Sequence, residues 1–213
     1  DISTMPNQNK TIPRKIAILG YRTTGKTSLA THFVEGRFVE RYDPTIENTF
    51  QKIIPFHRIK FSTEIIDCAG MDEYSRLSRN ASVGVHGYLL VYSVTSRVSF
   101  EKIKYIQDML EDMHGGWGAL PRVLVATMID HSAQRLVSYE EGQALADSLN
   151  IPFVECSTKG NMNVSEVFTT LMREIERDNV LFEENANWDP SDCDVLSLAN
   201  IDMCFPCSRF SLY

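Results

Sequence analysis

The sequence lacks an apolar run of the length that a membrane span needs, and it is short of positive charge. Its 213 residues include 21 Lys and Arg against 28 Asp and Glu, which gives a net charge of −7. This balance argues against nucleic acid as a partner and gives no overall attraction to anionic membranes. The five cysteines are odd in number. Because we see no secretory signal, we expect free thiols in a reducing compartment.

Short apolar segments alternate with amphipathic segments along most of the chain, as in α/β proteins. The predicted strands are 14–19, 49–56, 59–67, 87–93, 122–127 and 153–156, and the predicted helices are 26–35, 72–82, 97–113, 139–149 and 163–178. Ser138 and Glu141 form a predicted capping box before the fourth helix. We expect one α/β domain over 14–180, between a flexible N-terminus (1–13) and an acidic, disordered tail (181–213).

One octapeptide, from Gly20 to Thr27, carries the strongest chemical signal. Two glycines spaced by four residues precede Lys-Thr, between an apolar run and an amphipathic stretch. A strand therefore delivers the loop, and a helix N-terminus receives an anion. Lys26 can reach outer phosphates, and the Thr27 hydroxyl can ligate Mg²⁺. The residues expected around the phosphates are Gly20, Arg22, Thr23, Thr24, Gly25, Lys26, Thr27 and Ser28.

Two further loops lie where ligand-binding loops of open α/β sheets are expected. Asp67 ends the third predicted strand, so its carboxylate can hold Mg²⁺ while the Gly70 N–H approaches a terminal phosphate. Thr45 can close over the same metal from the loop that also holds Tyr42, and Phe38 can stack on a base edge. The predicted metal ligands are Thr27, Thr45 and Asp67. The residues expected to stabilise phosphoryl transfer are Lys26, Thr27, Thr45 and Gly70.

The chain resembles the small GTPases of the Ras superfamily over about 15–178, and within it is most similar to the Rheb group. The resemblance rests on segments 14–22, 42–50 and 84–88, and on Arg22, where Ras has glycine. It implies a G domain, a six-stranded, mostly parallel sheet with about five helices, and a GTP/GDP switch that uses Mg²⁺. It also implies an effector at residues 42–48, with a TOR-type kinase complex as candidate, and regulation by GTPase-activating and exchange proteins.

The chain departs from the family where the family reads guanine, because Asn-Lys-x-Asp is replaced by Thr-Met-Ile-Asp at 127–130. Asp130 can accept two hydrogen bonds from guanine. Thr127 replaces an amide that braces the base and its loops, and Met128 can cover a purine face without the lysine charge. The family's Ser-Ala-Lys motif appears as Ser157, Thr158 and Lys159, whose backbone can still contact the base edge. We expect guanine preference with weaker binding.

A second departure lies at Met71, where the family has its water-orienting glutamine. Methionine cannot orient water, and we expect Arg22 to crowd the space beside the terminal phosphate. The resemblance therefore implies a GTPase with slow or impaired hydrolysis. The alternatives are a pseudo-GTPase scaffold with weak or static nucleotide binding and, more distantly, an ATP-dependent P-loop kinase.

A third departure concerns the cysteine box that is farnesylated at the end of Rheb-like chains. Here Cys207 does not stand in the terminal position that a prenyltransferase reads. Neither Cys204 nor Cys207 has a basic flank, so acylation alone would anchor the chain weakly. We expect a cytoplasmic protein with at most weak association with endomembranes.

Overall fold

The fold is built on one six-stranded sheet. In the computed structural model, the described residues are 11–38, 45–56, 59–72, 75, 77–114 and 120–177. The strands are β1 (Thr11–Gly20), β2 (Glu47–Phe56), β3 (Ile59–Cys68), β4 (Gly87–Ser93), β5 (Arg122–Thr127) and β6 (Phe153–Glu155), in the spatial order β2-β3-β1-β4-β5-β6. Every neighbouring pair is parallel except β2 with β3. The predicted mostly parallel sheet is confirmed.

Helices cover both faces of this sheet. Within the described residues there are four α-helices, α1 (Lys26–Glu35), α2 (Arg97–His114), α3 (Tyr139–Leu149) and α4 (Val164–Glu176). On one face, Tyr88, Leu90 and Tyr92 of β4 belong to an apolar cluster with residues of α2 and α3. On the other face α1 packs against α4, where the rings of Phe33 and Phe168 stack with centroids 3.7 Å apart. Because both faces are covered, every residue of β4 is buried.

The ends of α3 show the local rules that set helix boundaries. The Ser138 hydroxyl accepts the Glu141 N–H at 3.2 Å, and the Glu141 carboxylate accepts the Ser138 N–H at 2.9 Å. This reciprocal pair satisfies two amides that a helix start leaves without partners, and it confirms the predicted capping box. The helix ends at Asn150, which adopts the left-handed conformation with φ 52°.

The predicted helix over 72–82 is wrong, so the described residues hold four helices rather than about five. The Ser75 hydroxyl donates to the Asp72 carboxylate and accepts the Asp72 N–H, and the Ser78 hydroxyl accepts the Ala81 N–H. Such short-range bonds give the backbone an alternative to helical pairing. Residues 79–84 instead form turns that end at Gly84, whose φ is 70°.

The strand β1 is longer than predicted, since it begins at Thr11 rather than at Arg14. Its first residues pair with 60–62 of β3, so residues 11–13 are strand and not part of a flexible N-terminus. Pro13 is compatible with this position because β4 pairs with β1 only from Ile16 onward, which leaves one side of the strand without a ladder there. The other predicted elements differ from the structure only at their ends.

Several predictions fall on residues outside the described part of the chain. These are the N-terminus before Thr11, residues 42–44 of the expected effector segment and the acidic tail over 181–213. Cys68 and Cys156 are free and buried, which confirms the predicted free thiols for these two residues. Among the helices that the structure describes, none combines the length and the apolar character needed to cross a membrane.

Candidate functional site

The loop between β1 and α1 leaves a helix N-terminus open at the carboxyl edge of the sheet. α1 begins at Lys26 without a side-chain cap, since its N-cap residue Gly25 is left-handed with φ 80°. Uncapped N–H groups at the positive end of a helix dipole bind anions. Gly20 has no room for a side chain, because a Cβ would lie 2.1 Å from the Val91 carbonyl oxygen. The loop therefore has the form expected of a phosphate-binding loop.

The Lys26 ammonium group lies inside this loop. The residue is 5 % exposed, and its Nζ donates to the Tyr21 carbonyl oxygen at 2.7 Å. Burial lowers the pKa of Lys26 to about 8, although the nearby Asp67 acts to raise it. An ammonium group has three protons to donate, so an anion in the loop can accept those that Tyr21 does not. Lys26 is placed to hold a phosphate group.

Three oxygen-bearing side chains meet beside Lys26. Thr27 Oγ1 donates to Asp67 Oδ2 at 2.7 Å and lies 2.9 Å from Thr45 Oγ1. Asp67 is fully buried, and its Oδ1 has no hydrogen-bond partner among the described residues. Burial raises the pKa of Asp67, whereas hydrogen bonds from Thr27 and Asn48 and the charge of Lys26 act to lower it. The structure thus brings together the three residues predicted to bind a metal.

This trio has the chemistry of a site for a hard divalent cation. Two hydroxyls and one carboxylate supply oxygen ligands, and the buried Asp67 Oδ1 has no hydrogen-bond partner among the described residues, as expected of an oxygen that faces a cation. In the described ranges, no group of three or more His, Cys, Asp or Glu side chains gathers around one point. A cation at the trio would therefore take most of its remaining ligands from a bound anion and from water.

Gly70 packs directly on the phosphate loop. A Cβ at Gly70 would lie 2.6 Å from Arg22 Cα, so only glycine allows this approach. The Met71 N–H donates to the Gly20 carbonyl oxygen at 3.0 Å. The Met71 side chain is 4 % exposed and belongs to the apolar cluster under α2 and α3. The residue at the family's glutamine position is therefore a core residue in this chain.

Arg22 lies on the surface of the loop. Its guanidinium carbon lies 5.2 Å from the centroid of the Tyr21 ring, and Nη2 lies 3.4 Å from Asp72 Oδ2. The Arg22 side chain is 60 % exposed. These contacts join the loop to the segment after Gly70. The expected crowding of a terminal phosphate by Arg22 stays a prediction.

Thr127 ties the end of β5 to the phosphate loop. Its buried hydroxyl lies 2.7 Å from the Thr24 carbonyl oxygen and 3.0 Å from the Tyr92 carbonyl oxygen. The neighbouring Met128 is left-handed with φ 64°, and its Sδ lies 3.2 Å from Ser93 Oγ. Although Thr127 replaces an amide, it therefore still braces the phosphate loop against the sheet.

Asp130 and Ser157 lie together on two loops that follow neighbouring strands. Ser157 Oγ donates to Asp130 Oδ1 at 2.6 Å and accepts the Gly160 N–H at 2.9 Å. The Asp130 side chain is 25 % exposed, and its Oδ2 lies 3.4 Å from His131 Nε2. A held but accessible carboxylate can accept hydrogen bonds from adjacent N–H groups on a ligand. The structure therefore places Ser157 where its side chain holds the carboxylate of Asp130, the side chain predicted to read the base.

For the remaining predicted site residues, the structure gives less information about a role in the site. Ser28 is half-buried in the first turn of α1, Thr158 is half-buried, and Lys159 is exposed. Phe38 is 37 % exposed at the end of a described range. Thr23 is left-handed with φ 57° and bonds to the Arg22 carbonyl oxygen. Tyr42 lies outside the described residues.

Sequence reasoning missed two hydroxyl side chains near Met128. Ser93 Oγ and Thr95 Oγ1 both lie within reach of the Met128 sulfur, at 3.2 and 3.9 Å. The available signal was their position at the end of the buried β4, where Ser93 is its last residue and Thr95 follows shortly after, since the carboxyl ends of parallel strands meet at one edge of the sheet. It also missed Asn48, which acts to lower the pKa of Asp67.

Comparisons with known proteins give an independent result. The model of the Ras family matches residues 15–177. The chain is 46% identical to the GTP-binding protein Rheb of Homo sapiens over 183 residues, which cover 86% of this chain and 97% of that protein. It is 48% identical to the GTP-binding protein rhb1 of Schizosaccharomyces pombe over 164 residues, 77% of this chain and 88% of that protein. It is 46% identical over 165 residues to the small monomeric GTPase RhbA of Aspergillus fumigatus, with the same shares, 77% and 88%.

Proposed function

Because this chain belongs to the Ras family, we propose that the site described above holds GTP or GDP together with Mg²⁺. The protein is a GTP-binding switch of the Ras type and a small GTPase, which hydrolyses GTP to GDP and phosphate. One observation carries the assignment to this site. The buried oxygen trio of Thr27, Thr45 and Asp67 lies beside the Lys26 ammonium group, so a cation site adjoins an anion site.

The residues of the phosphate loop bind and orient the triphosphate. Lys26 donates to the outer phosphate oxygens, and the uncapped amides of α1 receive the inner ones. Thr27, Thr45 and Asp67 would hold Mg²⁺, with Asp67 Oδ1 free to face it. When bound, Mg²⁺ supplies positive charge against the negative charge that develops on the phosphate oxygens.

Hydrolysis transfers the terminal phosphoryl group to water. The Lys26 ammonium and the Gly70 N–H favour the transition state by donating to oxygens that gain negative charge. The side chain of Met71 offers no donor to orient the water, and it is packed in the core. We therefore propose that intrinsic hydrolysis is slow.

Guanine recognition rests mainly on Asp130. Its carboxylate is fixed by Ser157 and can accept from N1–H and the exocyclic amine of guanine, whereas adenine presents no such pair of donors. Thr127 supplies the brace between base-side and phosphate-side loops. Because Met128 brings no charge where the family has lysine, we propose weaker nucleotide binding.

The segment that carries Thr45 is the part of the molecule that can report a terminal phosphate. Its next residue, Ile46, is 90 % exposed and available to a partner. We propose that an effector binds residues 42–48, with a TOR-type kinase complex as candidate because of the similarity to Rheb. GTPase-activating and exchange proteins would regulate the state. The protein would act in the cytoplasm with at most weak contact with endomembranes, in keeping with its net charge of −7.

The test is to purify the full chain in Mg²⁺, denature it, and identify the released nucleotide by chromatography. We expect GDP or GTP in the wild type and none from Lys26→Ala, since the buried ammonium offsets the phosphate charge. Single-turnover phosphate release on GTP-loaded protein then measures hydrolysis. A wild type that carries adenine nucleotide, or neither carries nor binds guanine nucleotide, would overturn the proposal. Bound GTP without any phosphate release would leave a pseudo-GTPase.

A further inference from the structure

The carboxylate of Glu47 joins two segments that are far apart in the chain. Its Oε2 accepts the Ser78 hydroxyl, and its Oε1 accepts the Asn80 side-chain amide at 3.1 Å. We call this three-residue contact the Glu47 clasp. Ser78 also accepts the Ala81 N–H at 3.1 Å, so its hydroxyl is held in place from both sides.

Each segment in the clasp also carries a group of the nucleotide site. Glu47 opens β2 two positions after Thr45, whose hydroxyl lies in the oxygen trio. Ser78 and Asn80 belong to the same connection as Gly70, which packs on Arg22 of the phosphate loop. Opening at Thr45 would therefore pull on the clasp, and loss of the clasp would release the start of β2 from the turn that holds Ser78 and Asn80.

The turn around Asn80 is fixed to the centre of the sheet. Asn80 Oδ1 accepts from Lys15 Nζ at 2.6 Å, and Lys15 Nζ also lies 3.4 Å from the Val83 carbonyl oxygen. Lys15 is a β1 residue, and its ammonium group is 3.8 Å from Glu64 of β3. Since the turn has this anchor, Glu47 is the partner that moves when the start of β2 moves.

We propose that the Glu47 clasp couples the metal-binding position of Thr45 to the segment after Gly70, so that the two respond to the terminal phosphate as one unit. Glu47 acts as a positioning residue, because its contacts are with Ser78 and Asn80 and not with the phosphates. The inference rests on the proposed function, in which Thr45 closes over Mg²⁺ when GTP is bound.

A coupling role and a purely structural role of Glu47 predict different effects on the binding of GDP and of GTP. A contact that only stabilises the fold would weaken binding of GDP and of triphosphate alike. A contact made in the closed arrangement stabilises the triphosphate state alone. The diagnostic quantity is the ratio of the two dissociation constants rather than either one.

The test uses the full chain with fluorescent GDP and a fluorescent, non-hydrolysable GTP analogue, both in Mg²⁺. We expect Glu47→Ala to weaken binding of the analogue relative to GDP by about fivefold, the size of one net hydrogen bond. The double variant Ser78→Ala with Asn80→Ala should reproduce this change, and adding Glu47→Ala to it should change the ratio no further. Hydrogen exchange of amides 78–84 should slow with the analogue in the wild type and not in Glu47→Ala.

Ser82→Ala is the matched control, because the Ser82 hydroxyl donates to the Ser78 and Arg79 carbonyl oxygens within the turn. In the part of the chain that the structure describes, it makes no bond to Glu47. This variant should leave the ratio unchanged. If Glu47→Ala does not fold, Glu47→Gln, which keeps one acceptor, should give a smaller change in the same direction. An unchanged ratio, or equal weakening of both nucleotides, would overturn the clasp. Failure of the wild type to bind either guanine nucleotide would instead refute the proposed function.

Discussion

The backbone N–H of Met71 donates a 3.0 Å hydrogen bond to the carbonyl oxygen of Gly20, while the Met71 side chain is buried in the core. The residue that follows Gly70 is thus attached to the first residue of the phosphate loop on one side and to the apolar cluster on the other. Loss of the family's glutamine therefore removes a polar group and adds a packing contact.

We expect Met71→Gln to lower stability rather than to restore catalysis. It would bury an amide with no partner in the apolar cluster, at a cost of about 1–3 kcal/mol. Denaturant unfolding measures the loss, and single-turnover phosphate release should show no large gain. Met71→Leu, which keeps the volume, is the control and should cost less than about 1.5 kcal/mol. Full stability together with rapid hydrolysis in Met71→Gln would show that the side chain leaves the core.

Thr127→Val should accelerate GDP release several-fold. The substitution keeps the shape but removes the hydroxyl that lies near the Thr24 and Tyr92 carbonyl oxygens, at a cost of about 1–3 kcal/mol. Dissociation of fluorescent GDP gives the rate. Thr127→Ser retains the hydroxyl and should stay near the wild type. Identical release from the valine and serine variants would mean that the brace contributes nothing to nucleotide retention.

Asp130→Ala should weaken guanine nucleotide by at least about tenfold and leave weak adenine nucleotide binding unchanged, since the carboxylate accepts only from the guanine edge. Competition of GDP and ADP against fluorescent GDP measures both. His131→Ala removes the neighbouring contact at 3.4 Å but keeps the carboxylate, so it should bind GDP normally. Equal losses for GDP and ADP would make Asp130 structural.

We expect His86 to contribute to the stability of the fold at neutral pH and to lose that contribution in acid. Its Nδ1 accepts the Lys15 N–H at 3.0 Å. Burial and the charge of Arg14 lower the pKa of His86, whereas the charge of Glu176 acts to raise it. Because the folded pKa is the lower one, the unfolded chain binds the proton more readily, so stability falls as the pH drops below about 6.5.

The variant His86→Asn tests this pH dependence, since its side-chain oxygen can still accept the Lys15 N–H but does not titrate. We expect the wild type to lose more free energy of unfolding than the variant between about pH 7 and about pH 5. Urea unfolding at both pH values makes the comparison. If the wild type and the variant lose the same free energy of unfolding, the acid sensitivity comes from groups other than His86.

The sheet and the phosphate loop could be predicted because their signals are local. The glycines, Lys26 and Thr27 stand in a fixed pattern between an apolar strand and an amphipathic helix, and each part of that pattern has one structural reading. The capping box at Ser138 was predictable for the same reason, since both partners lie within one turn.

The segment after β3 could not be predicted in the same way. Its apolar spacing suggested a helix, but Ser75 and Ser78 make local bonds that compete with helical pairing. The direction of the Met71 side chain, toward the site or toward the core, depends on the room beneath α2 and α3. That room exists only once these helices pack on the sheet, so the sequence does not show it. The contact between Thr127 and Thr24 joins residues distant in sequence, so spacing along the chain carries no sign of it.

The position of β2 at the edge of the sheet has a thermodynamic consequence. β2 has a single ladder neighbour, and its buried residues, Ile54 and Phe56, both lie at its far end. The first part of the strand therefore buries little surface, so it can open as a local unfolding unit, with the anchored end as its hinge, at a cost well below that of global unfolding. Since Thr45 lies two positions before this part, the chain can withdraw the proposed metal ligand without disturbing its core. Release of nucleotide would then be governed by fraying of one strand end, and its temperature dependence should follow that local opening.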